Sequence, residues 1–271
     1  MPEISVIMSV YNTREQILRD ALDSVRNQTF QDFELLICDD GSTDNTWEVL
    51  TKLTAGDFRI RLFRSGRNRG AGFARNICIR AAKGRYIAVM DADDIAAPNR
   101  LEQEYAYLQK YPQTPFVGCR GEFFIRHIGD DGECYWFCRK PKAEDFLFSL
   151  PFVHASLMFQ TKVILQIGGY DCSRRAVRVE DYDLLLRLYA KGYFGENLAD
   201  ILYYIRRDEQ QYKRRKYRYR FHEAYMKYRH FKNLKLMPRG FLYAAKPLLA
   251  GLLPVRIRTA LQKKYYARNT R

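Results

Sequence analysis

Tyr86-Ile87-Ala88-Val89-Met90-Asp91-Ala92-Asp93-Asp94 carries an unbroken apolar run straight into three carboxylates. A run this short, with β-branched Ile87 and Val89, reads as a strand buried on both faces. Its abrupt change of character places Asp91 where that strand leaves the core. Three carboxylates within four residues repel one another unless a cation compensates. Asp oxygens suit a hard cation such as Mg²⁺ or Mn²⁺, which can in turn neutralise a diphosphate. A polar loop whose acids cap the following helix is the plainer reading, and the run alone leaves both open.

The same organisation repeats on either side. Strands are expected over 4–10, 33–38 and 60–63. Thr13-Arg14-Glu15-Gln16 has the form of a capping box. Ile17, Leu18, Ala21, Leu22 and Val25 follow it at helical spacing. Further helices are expected over 44–53 and 72–82, and from Pro98, at a first helical position, to 111. Strands alternating with helices predict βαβ units on a parallel sheet, where ligands bind beyond the carboxyl ends of the strands. Tyr11-Asn12, Asp39-Asp40 and Asp91 to Asp94 all fall at such ends. Scattered surface acids would not do so three times.

Beyond 116 the alternation weakens. The segments 116–126 and 133–138 are expected to pair as a hairpin across Gly129-Asp130-Asp131-Gly132. A short helix over 163–167 stops at Gly168-Gly169, a helix over 180–190 buries Leu184, Leu185, Leu188 and Tyr189, and 201–205 is a last strand.

Three further clusters are candidates for chemistry. In Asp39-Asp40-Gly41-Ser42-Thr43-Asp44, Asp carboxylates can accept hydrogen bonds from a ribose or a base N–H, while part of the cluster serves as turn and cap. Arg67-Asn68-Arg69-Gly70-Ala71-Gly72 leads into the helix holding Arg75 and Asn76; it is either a phosphate cradle at a helix start or a plain turn. Glu180-Asp181 opens a helix, where acids are stabilising by themselves and where a carboxylate can also serve as general base toward a hydroxyl.

With Ser5-Val6-Ile7-Met8-Ser9-Val10-Tyr11-Asn12, Asn68-Arg69-Gly70 and Ala74-Arg75-Asn76, these motifs stand in an order and spacing that resembles glycosyltransferase family 2, the inverting enzymes of GT-A fold, over residues 2–206. The resemblance implies an α/β fold with a mixed, mostly parallel sheet flanked by helices. It implies a nucleoside-diphosphate-sugar donor, most commonly a UDP-sugar, and a glycan or polyprenyl-linked acceptor, as in bacterial glycan assembly. By position it places Tyr11 and Asp40 against the nucleoside, with Asp39 nearby, and Arg75 on the nucleotide or its phosphates. Asp91 and Asp93 take the D-x-D positions, with Asp93 the metal ligand and Asp91 beside it; Asp94 is a neighbour. Asp181 takes the place of the general base and Glu180 orients it or meets the acceptor. His154, before an apolar strand, approaches the donor phosphates or acceptor unless it is structural. Arg206-Arg207 stands where a donor-closing arginine occurs, without the His or Ser that commonly follows.

Charge divides the chain. Of 46 Lys and Arg, 20 lie in residues 206–271 against three acids, a net +17, in a protein of net +15. A GT-A domain over 1–206 followed by a basic, partly amphipathic helical segment over 207–271 is therefore expected. Arg214 to Phe221 interleaves bases with aromatics, and the apolar stretch 240–253 is short for a membrane span. It fits an anionic membrane surface; helices packed on the main domain, or a nucleic-acid tail, are the competing readings, and nucleic acid is disfavoured. Six scattered cysteines and an N-terminus without a secretory pattern fit a cytoplasmic protein, peripheral on the inner face of the cell membrane. The rivals are a nucleotidyltransferase, whose Gly-rich signature is missing at Tyr11-Asn12-Thr13-Arg14, and a non-catalytic membrane- or nucleic-acid-binding protein, for which Glu180-Asp181 and the D-x-D positions have no use.

Overall fold

The computed structural model describes residues 1–207 and 217–252. In chain order the elements are β1 (Ile4–Val10), α1 (Glu15–Arg26), β2 (Phe33–Asp39), α2 (Thr46–Thr54), β3 (Ile60–Arg64), α3 (Ala71–Ala81), β4 (Tyr86–Asp91), β5 (Ile95–Ala96), α4 (Arg100–Lys110), β6 (Phe116–Phe124), β7 (Met158–Gln160), α5 (Thr161–Gln166), α6 (Glu180–Ala190), β8 (Glu196–Arg206), α7 (Arg218–Asn233) and α8 (Arg239–Leu252). The strands form one sheet in the order β3-β2-β1-β4-β7-β6-β8-β5. β3, β2, β1 and β4 run parallel, and β7 joins antiparallel to both β4 and β6.

Strand alternation explains why both faces are covered. Ile4, Val6, Met8 and Val10 of β1 pack with Leu18, Ala21, Leu22 and Val25 of α1. Ile7 points the other way, into a second core with Ala74, Cys78 and Ile79 of α3 and the leucines of α6. Ser5 shares that second face, where its hydroxyl donates to Glu34 (2.8 Å) and accepts from the Gly84 amide (2.8 Å).

Several local expectations are corrected. No capping box forms: α1 opens at Glu15 after Arg14, because the Thr13 hydroxyl turns back to the Tyr11 carbonyl and its amide donates to the Thr46 hydroxyl (3.0 Å). Pro98 lies ahead of α4, its carbonyl accepting from the Thr29 amide (2.7 Å). The 116–126/133–138 hairpin shrinks to a single bridge between Glu122 and Cys134. β6 pairs instead in parallel with β8, which extends over 196–206, well beyond the expected 201–205. The turn that follows β6 is closed by the Asp130 carboxylate, which accepts from the amides of Ile125, Arg126 and His127 at 2.7–3.0 Å.

At the C-terminal end, α7 and α8 pack on each other and on the main body. Met226 and Phe231 of α7 and Ala244 of α8 join the second core beside Leu184, Leu185 and Leu188. Lys213 to Lys216, Arg256, Arg258, Lys263 and Lys264, which carry much of the expected basic surface, lie outside the described residues. Among the described residues no helix is long and apolar enough to cross a membrane.

Candidate active site

β2, β1 and β4 are neighbours, and their register sets Val10 beside Asp39 and Ser9 beside Asp91. The three polar clusters therefore line one edge of the sheet. Above β1 and β2 opens a cavity of about 510 Å³, bounded by Tyr11, Ser42, Thr43, Arg64, Arg67 and Asn68. Gly41 makes its floor possible. With φ +70° it lies so close to Arg67 that a Cβ would sit 2.5 Å from the Arg67 backbone.

Tyr11 stands at the cavity, 43% exposed, whereas Asp39 and Asp40 are buried behind it. Asp39 accepts from the Ser42 amide (3.0 Å) and hydroxyl, and Arg64 approaches its other oxygen at 3.3 Å. The Asp40 carboxylate accepts from the amides of Arg69 (3.0 Å) and Gly70 (2.7 Å). Burial raises its pKa, against the pull of those two amides. The amides of Arg69 and Gly70 are thus taken up by Asp40.

At the end of β4, Asp91, Asp93 and Asp94 bring carboxylate oxygens within 4.8 Å of one another. Asp91 and Asp93 are half-buried; Asp94 is buried. Asp94 accepts from the Arg206 amide (2.8 Å), while the Arg206 side chain donates to the Asp93 carbonyl (2.8 Å) and to Asp20 (3.1 Å). Burial, then the charges of Asp93 and Asp91, pushes the Asp94 carboxyl well above the usual range. An all-oxygen, like-charged donor set fits a hard divalent cation, and Asp91 and Asp93 are its more accessible members. Arg206 is engaged as a clamp behind this loop and Arg207 is ion-paired to Asp131 and Glu133.

The helices and loops of the other half close over this edge. Arg75, buried on α3, bonds Asp91 at 2.5 Å and sits over the Tyr170 ring at 5.5 Å. Burial opposes its charge, but Asp91, Tyr170 and Glu180 more than offset that, so its pKa is raised. The Tyr170 hydroxyl is 2.9 Å from Nε2 of His154, whose pKa burial, with Arg75, pushes down to about 3. His154 is therefore a neutral, buried partner of Tyr170. Glu180 leaves a buried carboxylate oxygen without a hydrogen bond. Burial and then the Glu180 charge push Asp181 up to about 6. Gly72 lets α3 come this near: a Cβ there would meet those of Tyr170 (3.1 Å) and Glu180 (3.4 Å).

Arg75, Asp91, His154, Glu180 and Asp181 thus converge as neighbours, and Tyr11 joins them along the sheet edge. Two members escaped sequence reading. Tyr170 is held at both its amide and its carbonyl by Asn76 (2.8 Å each); the Gly168-Gly169 before it was a visible signal, read only as a helix stop. Tyr203, whose hydroxyl accepts from the Asp91 amide (3.1 Å), is an ordinary strand tyrosine in the sequence and gave none.

Residues 5–142 match the family described as "Glycosyl transferase family 2", and 86–266 the one described as "Glycosyl transferase family group 2". EpsE of Bacillus subtilis, named as a glycosyltransferase, is 33% identical over 264 residues, covering 97% of this chain and 94% of EpsE. WfaP of Escherichia coli, a UDP-Glc:α-D-GlcNAc-diphosphoundecaprenol β-1,3-glucosyltransferase, is 27% identical and covers 76% of this chain and 78% of its own. Among solved structures, S. aureus TarS 1–349 in complex with UDP-GlcNAc superposes with a TM-score of 0.67 at 17% identity (94% of this chain, 77% of that one). The mannosyltransferase PcManGT of Pyrobaculum calidifontis, in complex with GDP-Man and Mn²⁺, gives 0.63 at 20% identity (97% and 80%). The fold is that of the GT-A glycosyltransferases.

Proposed function

The chain belongs to glycosyltransferase family 2, and from that premise we propose an inverting transfer of a sugar from a nucleoside-diphosphate donor, a UDP-sugar first, to a hydroxyl of a glycan or lipid-linked acceptor. The observation that carries this reading is the convergence of Arg75, Glu180 and Asp181 on the carboxylates at the end of β4. The cavity at Tyr11 takes the nucleoside, with Asp39 and Asp40 fixing its walls from behind. Asp93 and Asp91 would hold a divalent cation, Mn²⁺ or Mg²⁺, which would supply charge neutralisation for the departing diphosphate. Arg75 adds a fixed positive charge at the same place. Asp181 removes the proton from the acceptor hydroxyl as it attacks the anomeric carbon from the opposite side, and its raised pKa makes it a better base than an exposed aspartate. Glu180 keeps that pKa up and faces the acceptor.

The acceptor class draws support from the diphosphoundecaprenol-linked substrate in the name of WfaP. We assign residues 207–271 to an anionic membrane surface on the cytoplasmic side. Supporting this, α8 exposes Phe241 (58%), Leu242 (73%) and Leu249 (65%) beside Arg239 and Lys246, an amphipathic arrangement suited to an interface. Salt-sensitive sedimentation with anionic vesicles is its test; equal binding to neutral ones would overturn it. For the reaction itself, a panel of nucleotide sugars is screened for release of nucleoside diphosphate with Mn²⁺ and after chelation. Metal-dependent release from one donor is expected, and no release from any donor with acceptor glycolipid present would sink the reading.

A further inference from the structure

α6, the helix that opens with Glu180-Asp181, is buried on most sides, and Leu184, Leu185, Leu186 and Leu188 supply most of its packing. Packing of that kind holds a helix in the core but is poorly directional, since one leucine contact resembles the next. Directional bonds are needed to fix its rotation and height. Asp183, two residues after Asp181, supplies them. Its Oδ1 is 2.8 Å from Nε2 of His230 on α7, and its Oδ2 accepts from Arg187 at 2.7 Å. The Arg187 guanidinium goes on to the carbonyls of Ile167 (2.8 Å) and Gly169 (2.7 Å), the turn that delivers Tyr170. Asp183 and His230 are both buried. One polar chain thus runs from the C-terminal hairpin of α7 and α8 to the two segments that carry Asp181 and Tyr170.

We infer that His230 is a positioning residue: the C-terminal hairpin is a working wall of the active site, and His230 sets the placement of α6 and, through Asp183 and Arg187, of the Tyr170 turn. This rests on the reading of Asp181 as base. Other contacts bring the hairpin to the same place: Lys227 lies over the Tyr182 ring (4.9 Å), and Arg175, in the loop before Glu180, donates to the Tyr225 hydroxyl (3.0 Å). Lys227 is also buried and also meets α6, but the His230–Asp183 bond is the contact that continues through Arg187 to the Tyr170 turn. Displacing a base by about 1 Å costs on the order of 100-fold in rate, so a small shift of α6 is amplified.

The test compares His230→Leu with His230→Gln in the full chain. Leucine fills the space without a donor, whereas glutamine can return an N–H near the place of Nε2. His230→Leu is expected to lower kcat about 10- to 100-fold with donor KM little changed, and His230→Gln to restore most of it. Amide hydrogen exchange should rise in 180–190 and 167–170 of His230→Leu beyond its rise elsewhere. Unchanged kcat and unchanged exchange in His230→Leu would overturn the inference, as would a loss that glutamine does not relieve. If His230→Leu does not fold, Asp183→Asn, which weakens the same bond from α6, is read in the same way. If the parent protein turns over no nucleotide sugar, the reading of Asp181 fails, while the exchange data still decide whether His230 holds α6.

Discussion

Two halves of the site are built by different means. Along the ends of β1, β2 and β4, functional groups sit where the sheet's register puts them, a residue or two beyond a buried strand. Between His154 and Arg187 they arrive by packing: a histidine on a short turn, a tyrosine after two glycines, two carboxylates opening a helix. The first half is held by backbone pairing that many residues share. The second depends on a few polar contacts, Asn76 on Tyr170 and His230 on Asp183 among them. On the proposed reading, binding chemistry belongs to the rigid half, and the proton-handling chemistry to the half that side chains must aim.

The largest effect expected from this division is on Asp181. Asp181→Asn should lower transfer by about 10²- to 10⁴-fold, the usual contribution of a general base, while nucleotide-sugar binding by titration calorimetry is kept; unchanged turnover would remove Asp181 from the mechanism. Next comes the rigid half. Asp40→Asn replaces a carboxylate that two amides bond, an exchange worth about 1.5 kcal/mol, and should weaken nucleotide affinity roughly tenfold with kcat retained. A fall in kcat at unchanged affinity would break the division of labour. The smallest effect is on pH dependence. The base must be ionised, so kcat should fall as pH drops through about 6, the value to which burial and Glu180 bring Asp181. Glu180→Gln removes the second of these causes and should move the midpoint down, toward the ordinary aspartate range; a midpoint that moves up or stays put would separate the two residues.

The same contrast explains what the sequence made legible. Strand-end clusters could be read because a buried strand announces itself by an apolar run and its end by a change to polar residues: Met90 to Asp91, Cys38 to Asp39. Tyr203 has no such marker, since nothing local distinguishes a tyrosine facing Asp91 from one facing solvent; Tyr170 has only the two glycines before it, which mark a turn but not what the turn presents. The failed hairpin at 116–138 has a similar cause. Its turn residues do form a turn, but β8, more than 60 residues on, takes the edge of β6. Competition between distant strands is invisible in a local pattern. Thr13 missed its capping role for a tertiary reason too, since the Thr46 hydroxyl drew in its amide.

The Asp40 carboxylate joins the loop after β2 to the turn at 69–70 through bonds made wholly within the protein. If the cavity at Tyr11 takes the nucleoside as proposed, ordering its far side is a cost met in folding and not in binding. A base entering that cavity meets walls already fixed, so less of its contact energy is offset by lost chain entropy. Loosening this one clamp should show calorimetrically as a larger entropic penalty on nucleotide binding, even where the contacts finally made are the same.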